Sequence, residues 1–257
     1  DSRRMNDLLK NKANFVCTVL LAVAATSVMS SCNDDDDKVY VYRPANYISM
    51  GVVNEEGRIE TDKGNVLIPD ESSVTRELIE GERVFLNCHI LKEEGEKMYK
   101  VRINDYYQLL TKNFIRSSDS EESELGDAPI HIEKGWFGGG YLNMLLALKH
   151  NASSGISHSV NLVYDEITST ADTVRFVLRH HPNGDTEHTV TGRAYASFNM
   201  KDLSLEDNSK VYVSVKWRWY NPHGVIVEHE DGGYYTISEK QNEDDEESMR
   251  DENVNIQ

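Results

Sequence analysis

Val211-Tyr-Val-Ser-Val-Lys-Trp-Arg-Trp219 decides the fold. Val211, Val213, Val215, Trp217 and Trp219 share one parity, and Ser214, Lys216 and Arg218 take the other. A period of two belongs to a β-strand with one dry and one wet face. The pattern recurs outward along the chain. Val84, Leu86, Cys88 and Ile90 oppose Arg83, Asn87 and His89; Tyr99, Val101 and Ile103 oppose Lys100 and Arg102. Val160, Leu162 and Tyr164 oppose Ser159 and Asn161; Val174, Phe176 and Leu178 oppose Arg175 and Arg179. Ala194, Ala196, Phe198 and Met200 oppose Arg193, Ser197 and Asn199. Tyr141 to Lys149 breaks the rule, because Leu145 and Ala147 are apolar on the second parity too. It reads as a strand buried on both faces.

Short turn signals separate these strands: Glu55-Glu56-Gly57, Asp62-Lys63-Gly64, Glu94-Gly95, Pro182-Asn183-Gly184-Asp185, Asn221-Pro222-His223-Gly224 and Asp231-Gly232-Gly233. Asn183-Gly184 supplies the positive φ that tight antiparallel reversals need. The expected class is all-β and antiparallel. Ser117 to Glu124 is small, polar and acidic, and is read as a linker. The division is then residues 39–116 as a small OB-like barrel, 117–126 as an acidic linker, 127–239 as a β-sandwich and 240–257 as a disordered acidic tail.

The N-terminal region gives an address. Lys10 and Lys12 precede Phe15-Val-Cys-Thr-Val-Leu-Leu-Ala-Val-Ala-Ala-Thr-Ser-Val-Met-Ser-Ser-Cys32. A membrane span needs about 20 apolar residues, so this run is read as a secretory signal over residues 1–31, with Met5 as initiator. A Cys after Ser30-Ser31 points to lipid attachment at Cys32, although Met29 and Ser31 depart from the usual lipobox. Residues 32–38 form a lipidated acidic tether. Losing residues 1–31 removes two acidic and four basic side chains, leaving 42 acidic and 23 basic, a net charge of −19. Such a surface repels nucleic acid and anionic headgroups. Only Cys88 remains as a thiol, on the apolar parity of its strand, where a buried inert role is expected.

Gly135-Trp-Phe-Gly-Gly-Gly-Tyr-Leu-Asn143 admits two readings. Its glycines allow close backbone approach, and Trp136, Phe137 and Tyr141 could form a platform for sugar rings. The preferred reading is a strand entry whose aromatics plug the junction of barrel and sandwich. The spacing is not that of a nucleotide loop. His180, His181 and His188 flank a turn with Asp185 and Glu187, and His181 and His188 would face each other across a hairpin. Zinc is possible chemistry there, but adjacent His180 and His181 point to opposite faces, so a wet hairpin end is preferred and no metal is expected. Trp217 and Trp219 continue a core face, which leaves Tyr212 and Tyr220 as the candidates for a surface contact. No fixed carboxylate pair or nucleophile elbow is marked, so no catalytic residue and no cofactor is expected.

The lipidated Cys, the Cys32-Asn-Asp-Asp-Asp-Asp37 run, Gly57-Arg58-Ile59, Val66-Leu67-Ile68-Pro69 and the Gly135–Asn143 stretch together resemble the NigD-like lipoproteins of Bacteroidota. The resemblance implies an N-terminal OB-like barrel, a C-terminal β-sandwich and a link to a bacteriocin locus; the Cys32–Asp37 run is similar to the anionic export signal of surface lipoproteins, so an outer-membrane location with the body at the cell surface is expected, a periplasm-facing body being the alternative. It implies no catalytic residue. The expected function is a non-catalytic binding or adaptor lipoprotein with a protein or peptide partner, held to the membrane by acyl chains on Cys32. A glycan-binding accessory is the alternative, and a metal-dependent hydrolase the third.

Overall fold

The computed structural model describes residues 47–74, 77–119, 122–203 and 210–236. The signal segment, Cys32, the acidic tether and the acidic tail lie outside the described residues. Among those described, no helix is long and apolar enough to cross a membrane.

The first five strands are β1 (Tyr47–Val53), β2 (Ile59–Thr61), β3 (Val66–Pro69), β4 (Arg83–Gly95) and β5 (Met98–Gln108). They close into a barrel of order β1-β2-β3-β5-β4. β3 and β5 run parallel, and β4 closes antiparallel on β1. This is the OB-like barrel expected from the alternation. Val84, Leu86 and Cys88 point inward with Ile59, Leu67 and Val101, all fully buried. The parity holds as far as Cys88, where the described pairing of β4 with β1 ends, and beyond it Ile90 and Leu91 are exposed although Ile90 keeps the apolar parity.

The sandwich is built from β6 (Leu110–Asn113), β7 (Ile115–Arg116), β8 (His131–Gly138), β9 (Tyr141–His150), β10 (Ser159–Tyr164), β11 (Thr173–His181), β12 (Val190–Asn199), β13 (Lys210–Tyr220) and β14 (Ile226–Thr236). One sheet has the order β14-β13-β11-β10-β7 and the other β6-β12-β9-β8. Phe176, Phe198, Met200 and Leu162 are fully buried between them, with Val211, Val213, Val215 and Trp217 from the deciding strand. β9 is an inner strand, and its second face is covered as well, as Tyr141 to Lys149 suggested.

Three features differ from the sequence reading. The sandwich is mixed: β6–β12, β7–β10 and β11–β13 are parallel pairs. The barrel ends at Gln108, because residues 110–116 pair with sandwich strands and Phe114 packs into the sandwich core. The acidic stretch marks a change in composition and not the change of domain. Nor is that stretch a free linker. It holds a short helix, α1 (Glu122–Leu125), Leu125 is buried, and Ser118 donates its backbone N–H and its hydroxyl to Glu166.

Candidate functional site

The Gly135–Asn143 stretch forms the β8–β9 hairpin. Gly139 and Gly140 make its two-residue loop, with φ of 60° and 82°. Positive φ at both central positions is what a tight hairpin turn demands, and glycine supplies it without steric cost. This loop sits on the barrel. A Cβ on Gly138 would lie 2.8 Å from Asp62 Oδ2. Asp62 belongs to the Asp62-Lys63-Gly64 turn after β2, where its N–H donates to Met50 O at 3.0 Å.

Arg83, the first residue of β4, meets Asp62 from the barrel side. Its Nη1 donates to Asp62 Oδ1 at 2.7 Å, and its Nη2 donates to the second carboxylate oxygen, a two-pronged pair. The same Nη2 donates to Asn143 Oδ1 at 2.9 Å, and Nε donates to Ser197 Oγ at 3.0 Å. The Ser197 hydroxyl donates in turn to Asn143 Oδ1 at 2.7 Å, and Asn143 Nδ2 donates to Asp62 at 3.3 Å. The guanidinium lies 4.1 Å from the centre of the Tyr141 ring, a cation–π contact. The Arg83 side chain is 1% exposed. Three strands and one turn thus deliver a closed, charge-balanced network to the seam between barrel and sandwich. Its chemistry is directed inward, since both carboxylate oxygens and all three guanidinium nitrogens are engaged within the protein.

Aromatics complete the seam. Trp136 packs edge-on against Tyr195 at 6.2 Å, Tyr195 stacks on Phe85 of the barrel at 5.1 Å, and Phe85 stacks on Tyr107 at 5.1 Å. Phe137 turns the other way and packs against Tyr235 at 5.0 Å, at the margin of the sandwich core. The structure therefore brings Trp136 and Tyr141 to the seam and sends Phe137 inside. Tyr212 and Tyr220 lie elsewhere. Tyr212 meets Tyr234 edge-on at 5.3 Å, and Lys210 Nζ sits 4.4 Å above the Tyr234 ring. Tyr220 lies under Lys149 Nζ at 4.1 Å. Asn143 lies on the strand read as buried on both faces, whereas Arg83 and Ser197 were assigned to wet faces by parity. Only the close approach of a second domain distinguishes their face from a solvated one.

The histidines are arranged differently from the hairpin expectation. β11 and β12 lie in opposite sheets, so residues 182–189 cross between sheets and His181 does not face His188. Asn183 and Gly184 do adopt positive φ, 53° and 91°, in a turn closed by Asp185 N–H on Pro182 O at 3.0 Å. His180 is buried and contacts His158, which in turn contacts Asp185. Among the described residues no group of three metal-ligating side chains is gathered. Cys88 is buried inside the barrel, and burial pushes its thiol up to about 12.

Burial pushes the His180 imidazole down to about 4 from an ordinary 6.5. The unfolded chain binds a proton here between those two values and the fold does not, so stability rises with pH in that window. The contribution is complete above about 6.5 and is lost as the pH falls towards 4, on the order of 2–3 kcal/mol. Urea unfolding at pH 7 and at pH 4.5 is expected to show a clear drop in midpoint, and a smaller drop in His180→Phe. Equal drops in both proteins would remove His180 as the cause.

Residues 113–228 match the family model of the NigD-like C-terminal beta sandwich domain. No curated protein sequence matches the chain. Among solved structures, a NigD-like immunity protein from Bacteroides caccae is 25% identical, with a TM-score of 0.59 over 77% of this chain and 100% of the other. A protein of unknown function from Bacteroides vulgatus is 21% identical, with a TM-score of 0.57 over 76% of this chain and 92% of its own. A candidate lipoprotein from Bacteroides fragilis is 12% identical, with a TM-score of 0.55 over 77% and 100% of the two chains. The latter two share the fold alone. Residues 113–228 thus form a NigD-like C-terminal beta sandwich domain, and the OB-like barrel that precedes it, held to it through the Gly135–Asn143 hairpin, makes the chain similar to the NigD-like immunity protein as a whole.

Proposed function

We propose that this chain is a non-catalytic, lipid-anchored envelope protein that binds a protein or peptide partner, in a bacteriocin-type system. The observation that carries this reading is the buried Asp62–Arg83–Asn143–Ser197 network. The polar residues of the most distinctive sequence stretch are spent on joining two domains, which suits a scaffold that presents its outer surfaces. The NigD-like immunity protein from Bacteroides caccae, matched over its full length, supports the same direction. The Phe15–Cys32 segment supports anchoring.

Photo-crosslinking from outer-face positions in intact cells tests the partner. A discrete crosslinked protein or peptide is expected, and its absence from every labelled position would sink the adaptor reading. Fractionation tests the anchor. Wild-type protein is expected with membranes and Cys32→Ala in the soluble fraction; a variant that stays with membranes would refute lipid attachment at Cys32. Protease added to intact cells is expected to shave the wild type, which places the body at the surface; survival until the envelope is opened would place it in the periplasm.

A glycan-binding reading has one specific observation behind it. Tyr234 is 64% exposed and stands beside Tyr212 and Lys210 on the outer face of the five-stranded sheet. Exposed tyrosine rings can stack on sugars. Retention on a polysaccharide column that is lost in Tyr212→Ala or Tyr234→Ala would favour it over the adaptor.

A further inference from the structure

Four groups stand in line at one end of the sandwich, where loop 151–158 meets crossover 182–189. His180 Nδ1 lies 3.1 Å from Pro129 O, and His180 Nε2 lies 2.8 Å from His158 Nδ1. His158 Nε2 lies 3.1 Å from Asp185 Oδ2. Each of these contacts is a hydrogen bond only if one proton lies within it. A carbonyl oxygen carries no proton, so the first belongs to His180 Nδ1. Asp185 accepts from Asn151 N–H at 2.9 Å and from the Ser154 hydroxyl at 3.2 Å. These bonds, the backbone one foremost, together with His158, hold its carboxyl below the usual range, so it is ionised. The proton facing it therefore sits on His158 Nε2.

The middle contact still needs a proton. His180 is 2% exposed and one residue further from the carboxylate than His158. A charge there would be desolvated without a direct counter-ion. His158 Nδ1 is the better carrier, because His158 touches Asp185 itself. We propose that the Asp185–His158–His180–Pro129 line is a proton-dependent latch in which His158 carries a hydrogen on both ring nitrogens, tying loop 151–158 and crossover 182–189 to β11.

Other charged or titratable groups around the line are few. His150 of β9 meets the His158 ring edge-on at 6.2 Å. Glu187 of the crossover accepts from Asn151 Nδ2 at 3.0 Å, and His181 follows His180 on β11. The latch fails in acid, where a second proton on His180 Nε2 would set two N–H groups against each other. The loops that it joins are connections at a domain end, the kind of segment that carries recognition on rigid scaffolds.

Imidazole ¹⁵N NMR of the wild-type protein at pH 7 reads the state directly. Two protonated nitrogens are expected on His158, and a neutral Nδ1–H tautomer on His180. A neutral His158 would overturn the proposal. Amide hydrogen exchange then reads the latch. In Asp185→Asn, exchange over residues 151–158 is expected to rise at least about tenfold at pH 7 while β4 and β5 keep their protection. Unchanged exchange in that loop would also overturn it. Should the variant fail to fold, the wild type is followed from pH 7 to pH 4.5, with exchange corrected for its intrinsic pH dependence. The loop is expected to lose protection well before the barrel, and simultaneous loss would refute a local latch.

Discussion

Arg83→Ala is expected to lower the unfolding free energy by about 3–5 kcal/mol, among the largest effects of any single substitution in this protein. The cost comes from what is left behind. Asp62 keeps its charge beneath the Gly138–Gly139 backbone with no cation beside it, and Asn143 and Ser197 each lose a donor. Removing one member of a buried ion pair is costly because the survivor is desolvated and unpaired. Arg83→Lys is expected to recover little, since an ammonium cannot span two carboxylate oxygens, Asn143 and Ser197 together. Pairing Arg83→Met with Asp62→Leu is expected to recover more than half of the loss by removing both charges. Urea unfolding of the four proteins decides the matter. A loss below about 1 kcal/mol in Arg83→Ala would show that the network is solvated and does not bind the domains.

Gly139→Val is expected to cost about 3–4 kcal/mol. Two independent penalties add. The residue adopts φ of 60°, which a β-branched side chain rarely takes. A Cβ placed there would also lie 2.4 Å from Asp62 Oδ1, an oxygen already held by Arg83. Gly57→Val is the control. That glycine also has φ of 70°, but an added Cβ there meets nothing within 4 Å. It is expected to show the backbone penalty alone, roughly 1–2 kcal/mol. Equal losses at the two sites would mean that the hairpin loop can withdraw from the barrel without cost.

Much of this fold was legible in the residues, for an identifiable reason. Alternation reports burial on one face of a sheet, and Val211, Val213, Val215 and Trp217 do face the sandwich core as their parity requires. The barrel core from Val84 to Cys88 follows in the same way. Parallel pairing was not legible, because β6 and β12 carry the same alternation whichever way they run. The seam was half legible. Its glycines and aromatics announced an unusual place, and the plug reading of Trp136 matches where that ring lies, against Tyr195 and through it Phe85. Its polar members were hidden, since Arg83 and Ser197 look like the wet side of ordinary strands, and Asn143 sits on a strand read as buried with nothing to mark its partners. The His158–His180 contact was hidden for a different reason. It joins residues 22 positions apart, across a β10–β11 pairing whose register sequence alone does not fix.

The strands β6 and β7 are separated by one residue, Phe114, and they take edge positions in opposite sheets. Each runs parallel to its neighbour. A pull transmitted from the barrel therefore enters the sandwich along the axis of β6. The four residue pairs from Ala196–Leu110 to Asn199–Asn113 would be loaded together in shear, and would not be peeled open one rung at a time. Phe114, seated in the core, carries the remainder of the load into the second sheet. The joint between the two domains is thus mechanically the firm end of the sandwich.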